Sequence, residues 1–293
     1  MMPDKLIINS PSFIIAQQVL NRTSYKDSWK KESLFIPSVK HRRVICTQIS
    51  SSEYLSLKGV GWVHGPPWSM PSPVENELWY GLMDEESAKK EILISSKLKA
   101  YGIHCSYAHL IEPLSQNELS LIGVSSDPTY NSGRLVRPVV LITKFQQALR
   151  IADLTPATEK QWHEALLSNG PHKCDKTLAS KNLINKIYNN IIKYQCNGAV
   201  NDTLSPDNVS LLGEITDFER IYISDTSQIA VIEKNDILSR QRSEAYYFFD
   251  IVRCIIEYAE LRCSVQSLLC LLMVGANKSY QTPFEEELAV LIS

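Results

Sequence analysis

The sequence predicts an α+β fold with two lobes, a β-rich first lobe with one main helix and a helical second lobe. Three features of its 293 residues support this prediction. Short segments in the first half alternate apolar and polar residues, one long segment among them has helical periodicity, and several long helical segments follow in the second half. The character changes near residues 143–152, so we assign the lobes to residues 1–145 and 146–293.

The first lobe contains four candidate strands and one helix. The segments "HRRVICTQIS" and "EYLSLKGVGW" alternate apolar and polar residues and predict adjacent strands, and "GIHCSYAHLIE" and "RPVVLITKFQ" predict two more. Between these pairs, "DEESAKKEILISSKLKAYG" has acidic residues in its first turn, an apolar set at helical spacing and a terminal Gly102. This segment predicts a helix.

The second lobe is predicted to be mainly helical. "TPATEKQWHEALLSN" begins with a threonine cap, and "KTLASKNLINKIYNNIIKYQ" places Leu183, Ile187, Ile191 and Tyr194 on one face. Three later segments, within 239–262, 264–276 and 283–292, also have helical periodicity. The intervening stretch 204–224 predicts two short strands.

Composition excludes some classes of function. The formal net charge is −2 and the isoelectric point is about 6.3. Proteins that neutralise the phosphates of nucleic acids usually carry a basic surplus, so nucleic-acid binding is disfavoured as the main role.

Cysteine spacing and apolar runs predict the compartment. The 7 cysteines include no C-x-x-C pair, which favours buried free thiols in a reducing compartment over disulfides or a metal site. The N-terminal segment lacks the basic start and continuous apolar run of a signal peptide, and the longest apolar run, "SLLCLLMVGA", is too short to span a bilayer. We therefore expect a cytoplasmic protein without a membrane span, with export by a leaderless route left open.

A candidate metal site lies in "DNVSLLGEITDF". Asn208 and Asp217 carry the oxygen ligands that magnesium prefers, and a tight hairpin between them would turn both toward one side of a cleft. The alternative interpretation is that Asp207 and Asn208 form an ordinary turn and Asp217 caps the next segment.

A candidate phosphate-binding pair precedes it. In kinase-like folds a lysine on a strand contacts nucleotide phosphates and is held by a glutamate on the following helix. Lys58 and Glu91 have this order, with Glu86 as a second candidate partner. Alternatively, both residues are ordinary charged residues of an edge strand and a solvated helix face.

Arg150 lies in a largely apolar segment at the boundary between the lobes. A guanidinium there is suited to bidentate binding of a phosphate. An ion pair between Arg150 and Asp153 is the alternative.

Taken together, these segments resemble the selenoprotein O family of kinase-like proteins. "LSLKGVGW" resembles the family's L-K-G-x-G strand and turn, and "AKKEILISSKLKAYGIHCSYAHLI" resembles its helix and next strand. "VVLITKFQQALRIADL" is similar to its segment with two arginines, and "DNVSLLGEITDFE" to its D-N-M-S-I-L-G-x-T-x-D-Y-G. The resemblance covers about residues 55–220 and implies a two-lobed protein-kinase-like fold.

The resemblance also implies an activity. Members of that family bind ATP in a flipped orientation and transfer AMP to hydroxyl groups of proteins. By resemblance, Lys58 and Arg150 bind ATP phosphates and Glu91 positions Lys58. This implies ATP as cofactor and a protein or small molecule with a hydroxyl group as acceptor.

The catalytic half of the implied site lies in the second lobe. By resemblance, Asn208 and Asp217 hold magnesium next to the nucleotide, and Asp207 accepts the proton of the incoming hydroxyl. Thr203 stands where ordinary kinases have their catalytic aspartate, which the selenoprotein O family also lacks.

The chain departs from the family pattern at several positions. The family's Gly-Asp-Gly-Arg segments are not found, the first arginine of its pair is replaced by Thr143, and its His-Gly falls on Asn201-Asp202. Lys144, Arg134 and Arg137 are candidate replacements for the missing arginine. An ordinary phosphotransferase and a catalytically silent pseudokinase that acts as a binding partner therefore stay open.

Overall fold

The computed structural model describes residues 10–36, 44–61, 81–124, 137–153, 176–202, 204–218, 220–223, 234–259, 263–274 and 282–292. Within these ranges the protein is a mixture of helices and antiparallel strands, which confirms the α+β class. The chain packs as two compact units. The first comprises Met1–Leu93 and Tyr107–Ala148, and the second comprises Ile94–Ser106 and Leu149–Ser293.

The first unit is built on one antiparallel sheet. Its strands run in the order β1-β2-β3-β6-β4, with β5 also paired to β6. All four segments predicted as strands contribute to it, together with two strands of two residues each. The bounds are β1 Leu34–Phe35, β2 Val44–Gln48, β3 Tyr54–Lys58, β4 Met83–Asp84, β5 Tyr107–Pro113 and β6 Pro138–Phe145.

Helix α1 (Pro11–Asn21) corrects the prediction of a first lobe with one main helix. Ser10 has the extended backbone of an N-cap and Pro11 occupies the first helical position, where proline is well tolerated. Phe13, Ala16 and Leu20 follow at helical spacing and are buried. The spacing of these apolar residues is the sequence signal for this helix.

Helix α1 packs on one face of the sheet. Its apolar side joins a cluster that includes Leu55 and Leu57 of β3 and Val140 and Ile142 of β6. Each such fully buried side chain contributes roughly 1.5–3 kcal/mol relative to an exposed one. Because side chains alternate along a strand, Lys58, the residue after Leu57, lies on the opposite face of β3.

Helix α2 (Glu85–Ala100) is the main helix that the sequence predicts. Asp84 of β4 accepts hydrogen bonds from the backbone N–H groups of Glu86 and Ser87, at 3.1 and 3.4 Å, and so caps its first turn. The helix ends before Gly102, whose φ of +70° is typical of a glycine that terminates a helix. A short helix, α3 (Gln116–Leu121), follows β5 and begins with a capping box between Ser115 and Glu118.

The second unit is mainly helical. Helix α4 (Lys176–Cys196) buries the four residues predicted for its apolar face. Tyr188 of α4, Phe248 and Phe284 form an aromatic cluster with ring centroids 5.5–6.0 Å apart. The remaining described α-helices are α5 Lys234–Ala259, α6 Val265–Val274 and α7 Pro283–Ile292, and short 3-10 helices cover Ile151–Asp153 and Pro206–Asn208. The helix predicted at 155–169 lies outside the described residues.

Strands β7 (Ala199–Asn201) and β8 (Ile221–Ile223) form an antiparallel pair in this unit. The prediction of two strands inside 204–224 is therefore only half right, since β7 precedes that stretch. The first part of the stretch 204–224 forms a tight hairpin, in which a single bridge joins Val209 and Ile215.

The cysteines agree with free thiols, but they are not all buried. Cys46 and Cys105 are buried, Cys196 is exposed, and none of the described cysteines forms a disulfide. Burial raises the pKa of Cys105 to about 12, so this thiol stays protonated. Among the helices that the structure describes, none is both long and apolar enough to cross a membrane.

Gly59, directly after Lys58, should not tolerate a side chain. Its φ is +99°, and a Cβ atom there would lie 2.6 Å from the carbonyl oxygen of Val139 and 2.8 Å from the Cβ of Met83. Gly123 is the matched control in the same unit, because its φ is also positive (+83°) but no heavy atom of the described residues lies within 4 Å of the added Cβ.

We expect Gly123→Ala to cost about 1 kcal/mol for its backbone conformation, and Gly59→Ala roughly 1–3 kcal/mol more for overpacking. Urea denaturation of both variants measures the difference in the free energy of unfolding. Equal losses would show that β3 can move away from β4 and β6.

Candidate functional site

Lys58 and Glu91 form an ion pair in the first unit. The Lys58 Nζ atom lies 2.6 Å from Oε1 of Glu91, and the two side chains are 12% and 3% exposed. Glu91 lies one helical turn after the buried Ala88, on the same side of α2. Glu86, the other candidate partner, is exposed. The interpretation of Lys58 and Glu91 as solvated surface charges is therefore wrong.

A buried ion pair is weak evidence for a purely stabilising role. Removing two charges from water costs several kcal/mol per ion, and a well-packed apolar pair of the same volume is often as stable. A buried ion pair is therefore a candidate for a functional site, where a charge must be held in place.

The hairpin at residues 208–217 carries the candidate metal ligands in the second unit. The backbone N–H of Ser210 donates to the carbonyl oxygen of Glu214 at 2.9 Å, and Gly213 has a φ of +76° at the turn. The Ser210 hydroxyl accepts hydrogen bonds from the backbone N–H groups of Leu212 and Glu214. The tight hairpin predicted between Asn208 and Asp217 is thus present.

The base of this hairpin brings its two ends together. The backbone N–H of Thr216 donates to the carbonyl oxygen of Asn208 at 3.0 Å, so that Asp217 follows the residue paired with Asn208. Asn208 and Asp217 are both partly exposed, and Asp207 is exposed. Two oxygen-bearing side chains at the open end of one hairpin are a suitable partial ligand set for a hard divalent cation.

Arg150 lies against the same hairpin. Its Nη1 atom donates to the carbonyl oxygen of Asp207 at 2.5 Å and to Oδ1 of Asn208 at 3.2 Å. For Arg150 the sequence predicts a phosphate ligand or, as the alternative, an ion pair with Asp153. In the structure Asp153 accepts a hydrogen bond from the backbone N–H of Arg150, at 2.9 Å, while the guanidinium holds the Asp207-Asn208 turn.

The backbone of Arg150 is fixed by the first arm of the hairpin. Arg150 forms an antiparallel bridge with Ser210. The backbone N–H of Ile151 donates to Val209, and that of Leu211 donates to Leu149, at 2.9 and 3.0 Å. The segment around Arg150 therefore serves as an extra strand beside the hairpin.

Asn190 of α4 is a supporting residue that the sequence analysis missed. It is 4% exposed, and its Oδ1 accepts from the backbone N–H of His104 while its Nδ2 donates to the carbonyl oxygens of His104 and Gly213. It thereby fixes the hairpin turn to the helix. In the sequence, Asn190 can be found as a polar residue at helical spacing from Ile187 and Tyr194, on the apolar face of α4.

Glu244 of α5 is a second residue that sequence analysis missed. It is completely buried, and it accepts hydrogen bonds from the backbone N–H of Asn201 at 2.5 Å and from the Gln195 side chain. Burial raises the pKa of this carboxyl group to about 8. Glu244 thus supports β7, the strand that leads into the segment of Asp207 and Asn208.

The positions that depart from the family pattern have defined environments. Asp202, in place of the glycine, forms an ion pair with Arg240 of α5. Thr143 is buried in β6, Lys144 lies over the ring of Tyr25, and Arg137 lies 3.6 Å from Glu85. Thr203 and Arg134 lie outside the described residues.

The predicted site residues thus form two groups, each within its own unit. Lys58 and Glu91 belong to the first unit, and Arg150, Asn208 and Asp217 belong to the second together with Asp207. Within the described ranges there is no cluster of three or more His, Cys, Asp or Glu side chains that could hold a metal ion.

Comparison with protein-family models gave no match for this chain, and comparison with curated proteins gave no match either. The resemblance to the selenoprotein O family therefore rests on the four sequence segments. The roles that this resemblance implies stay predictions.

The Lys58–Glu91 pair can be tested by its effect on stability. We expect Lys58→Met to cost about 3–5 kcal/mol, because it leaves the buried Glu91 carboxylate without the lysine ammonium, whereas Lys58→Met/Glu91→Leu should recover most of that loss. Chemical denaturation measures both. Lys89→Met is the control, since Lys89 is an exposed residue of α2 and its loss should change little. A double variant as unstable as the single one would contradict coupling between the two residues.

Glu244 should make stability depend on pH. Its folded pKa of about 8 lies above its ordinary value of 4.5, so the folded state holds a proton that the unfolded state releases. The contribution of Glu244 is most favourable below pH 4.5 and is lost as the pH rises toward 8, by roughly 1.4 kcal/mol per pH unit.

Glu244→Gln, which keeps the shape of the neutral acid, should remove this loss. The difference between wild type and variant in the free energy of unfolding, measured from pH 5 to pH 9, tests it. Parallel profiles would show that Glu244 is ionised in the folded protein throughout this range.

Proposed function

We propose that this protein is a magnesium- and ATP-dependent nucleotidyltransferase with a two-lobed kinase-like fold, which transfers AMP to a hydroxyl group of a protein or small molecule. The observation that carries the proposal is that one hairpin has Asn208 and Asp217 at its open end, with the Arg150 guanidinium in contact with Asn208. The pattern of Lys58 and Glu91 in the first unit supports it. A cytoplasmic location is part of the same proposal.

The metal would be held by Asn208 and Asp217. Magnesium takes about six oxygen ligands and usually keeps several waters, so two side chains are sufficient when phosphate oxygens complete the shell. Bound there, the ion would neutralise charge on the transferred phosphorus and the leaving pyrophosphate. Asp217 is anionic and Asn208 neutral, which limits the negative charge that faces the phosphates.

Lys58 would bind the phosphates from the first unit. A lysine ammonium is a compact charge on a flexible stem, and it needs a fixed partner to hold one position. Glu91 provides that partner at 2.6 Å and is itself almost fully buried in α2. The pair thus presents one cation at a defined place with its charge partly compensated.

Asp207 would act as the general base. Its carboxylate belongs to an exposed residue, which an acceptor hydroxyl can approach, and its backbone is fixed through its carbonyl oxygen by Arg150. A carboxylate within hydrogen-bond reach of the hydroxyl accepts its proton as the oxygen attacks phosphorus. The place of Asp207 next to Asn208 in the chain supports this role.

A catalytically silent pseudokinase that acts as a binding partner is the second candidate. It is favoured by the Arg150 contact with Oδ1 of Asn208, because a guanidinium there opposes a cation at the same oxygen. An ordinary phosphotransferase, in which the γ-phosphate rather than AMP is transferred, uses the same groups with the nucleotide reversed.

Label transfer separates these functions. With ATP labelled at the α-phosphate or the γ-phosphate, nucleotidyl transfer puts the α-label on the acceptor and phosphoryl transfer puts the γ-label there.

Asp217→Ala should abolish magnesium-dependent ATP turnover with the fold intact, because a charged metal ligand is lost. Asp250→Ala removes an exposed carboxylate on α5 and is the control.

Asp207→Ala distinguishes a base from a ligand in the same assay. We expect loss of turnover with magnesium binding retained. Turnover retained in Asp217→Ala would remove the proposed metal site, and a wild-type protein that binds neither magnesium nor ATP in a thermal-shift titration would favour the silent pseudokinase.

A further inference from the structure

We infer that Arg150 gates the metal site, holding Asn208 in the absence of nucleotide and releasing it to the metal when nucleotide phosphates bind. Magnesium and nucleotide then bind cooperatively, and magnesium alone binds weakly. The inference rests on the proposed function, and it assigns Arg150 two alternative contacts, with Asn208 in the absence of nucleotide and with the phosphates in its presence.

Arg150 contacts the same atom of Asn208 that a metal would bind. A metal binds the side-chain oxygen of asparagine, and that oxygen is the acceptor of the Arg150 Nη1 hydrogen bond at 3.2 Å. Arginine has only donors, so the amide of Asn208 must turn its oxygen toward the guanidinium. The second hydrogen of Nη1 is directed to the carbonyl oxygen of Asp207, at 2.5 Å, which keeps the guanidinium at this turn.

The guanidinium can leave without a change in the backbone. Residues 149–151 are hydrogen-bonded to residues 209–211 through main-chain atoms, and the Arg150 N–H is bound to Asp153. These bonds do not involve the guanidinium. A rotation of the Arg150 side chain therefore frees Oδ1 of Asn208 while the hairpin that carries Asn208 and Asp217 stays in place.

Electrostatics sets the direction of the coupling. A positive charge in contact with Oδ1 opposes the approach of a divalent cation to the same oxygen, and the site is only partly exposed, so screening by water is incomplete. Phosphate oxygens are strong bidentate acceptors for arginine. A bound nucleotide thus draws the guanidinium from Asn208 and adds anionic ligands for the metal.

The coupling is reciprocal by thermodynamic necessity. If nucleotide increases the affinity for metal by some factor, metal increases the affinity for nucleotide by the same factor. Removing the guanidinium should therefore strengthen the binding of metal alone and weaken the coupling. A purely structural role for Arg150 predicts the opposite, since a loosened Asp207-Asn208 turn would bind metal less well.

The test is a titration of the full chain with Mn²⁺, which accepts the same oxygen ligands as Mg²⁺ and is followed by electron paramagnetic resonance. Affinity for Mn²⁺ is measured without nucleotide and with a non-hydrolysable ATP analogue, at low ionic strength. The proteins compared are the wild type, Arg150→Met and Arg242→Met. Arg242 is an exposed residue of α5 that pairs with Glu286, so its variant controls for net charge.

We expect Arg150→Met to bind Mn²⁺ alone about 5-fold or more tightly than the wild type, and the gain in Mn²⁺ affinity from nucleotide to fall by a similar factor. Arg242→Met should behave as the wild type. If the wild type binds both ligands but Arg150→Met binds Mn²⁺ alone equally or more weakly, the gate is wrong and the proposed function stands. If the wild type binds neither ligand, both fail together.

Discussion

Backbone hydrogen bonds on both edges of the hairpin at 208–217 determine the geometry of the second unit's candidate site. On one edge, Ile151 and Leu149 pair with residues 209 and 211. On the other edge, the backbone N–H of Ser106 donates to the carbonyl oxygen of Ile215 at 2.9 Å, and that of Ile215 donates to His104. The hairpin therefore lies between two segments that are distant in sequence, 149–151 beside its first arm and 104–106 beside its second.

This constraint explains why the site can be both fixed and partly exposed. The hairpin is too short to bury an apolar face of its own, so its order must come from neighbours. Main-chain bonds from two sides and the Asn190 side chain supply that order without covering the open end. Asn208 and Asp217 therefore keep access to solvent on a fixed backbone, as a binding site requires.

The two units bury an acidic side chain in different ways. In the first, Glu91 is compensated by the opposite charge of Lys58. In the second, Glu244 has neutral donors around it, and its pKa rises to about 8, so the group avoids charge by keeping its proton. The first arrangement holds two opposite charges in place, whereas the second holds a neutral group that supports β7.

Much of the fold could be predicted from the sequence because its elements obey local rules. The alternation in β3, the capped start of α2 and the apolar face of α4 each follow from signals within one segment. Helix α1 obeys the same rules, since its buried residues recur at helical spacing. By contrast, β7 and the bridge between Val209 and Ile215 depend on pairing partners, which single-segment patterns do not reveal.

The same difference between local patterns and long-range contacts holds for the candidate site. By itself the sequence determined the types and the order of the site residues, from Lys58 to Asp217, because spacing along one strand, helix or hairpin is a local property. The tertiary structure decided the partners: Glu91 rather than Glu86 for Lys58, and the Asp207-Asn208 turn for Arg150. A partner depends on which long-range contacts satisfy buried charges and hydrogen bonds, and those contacts form only when the chain has folded.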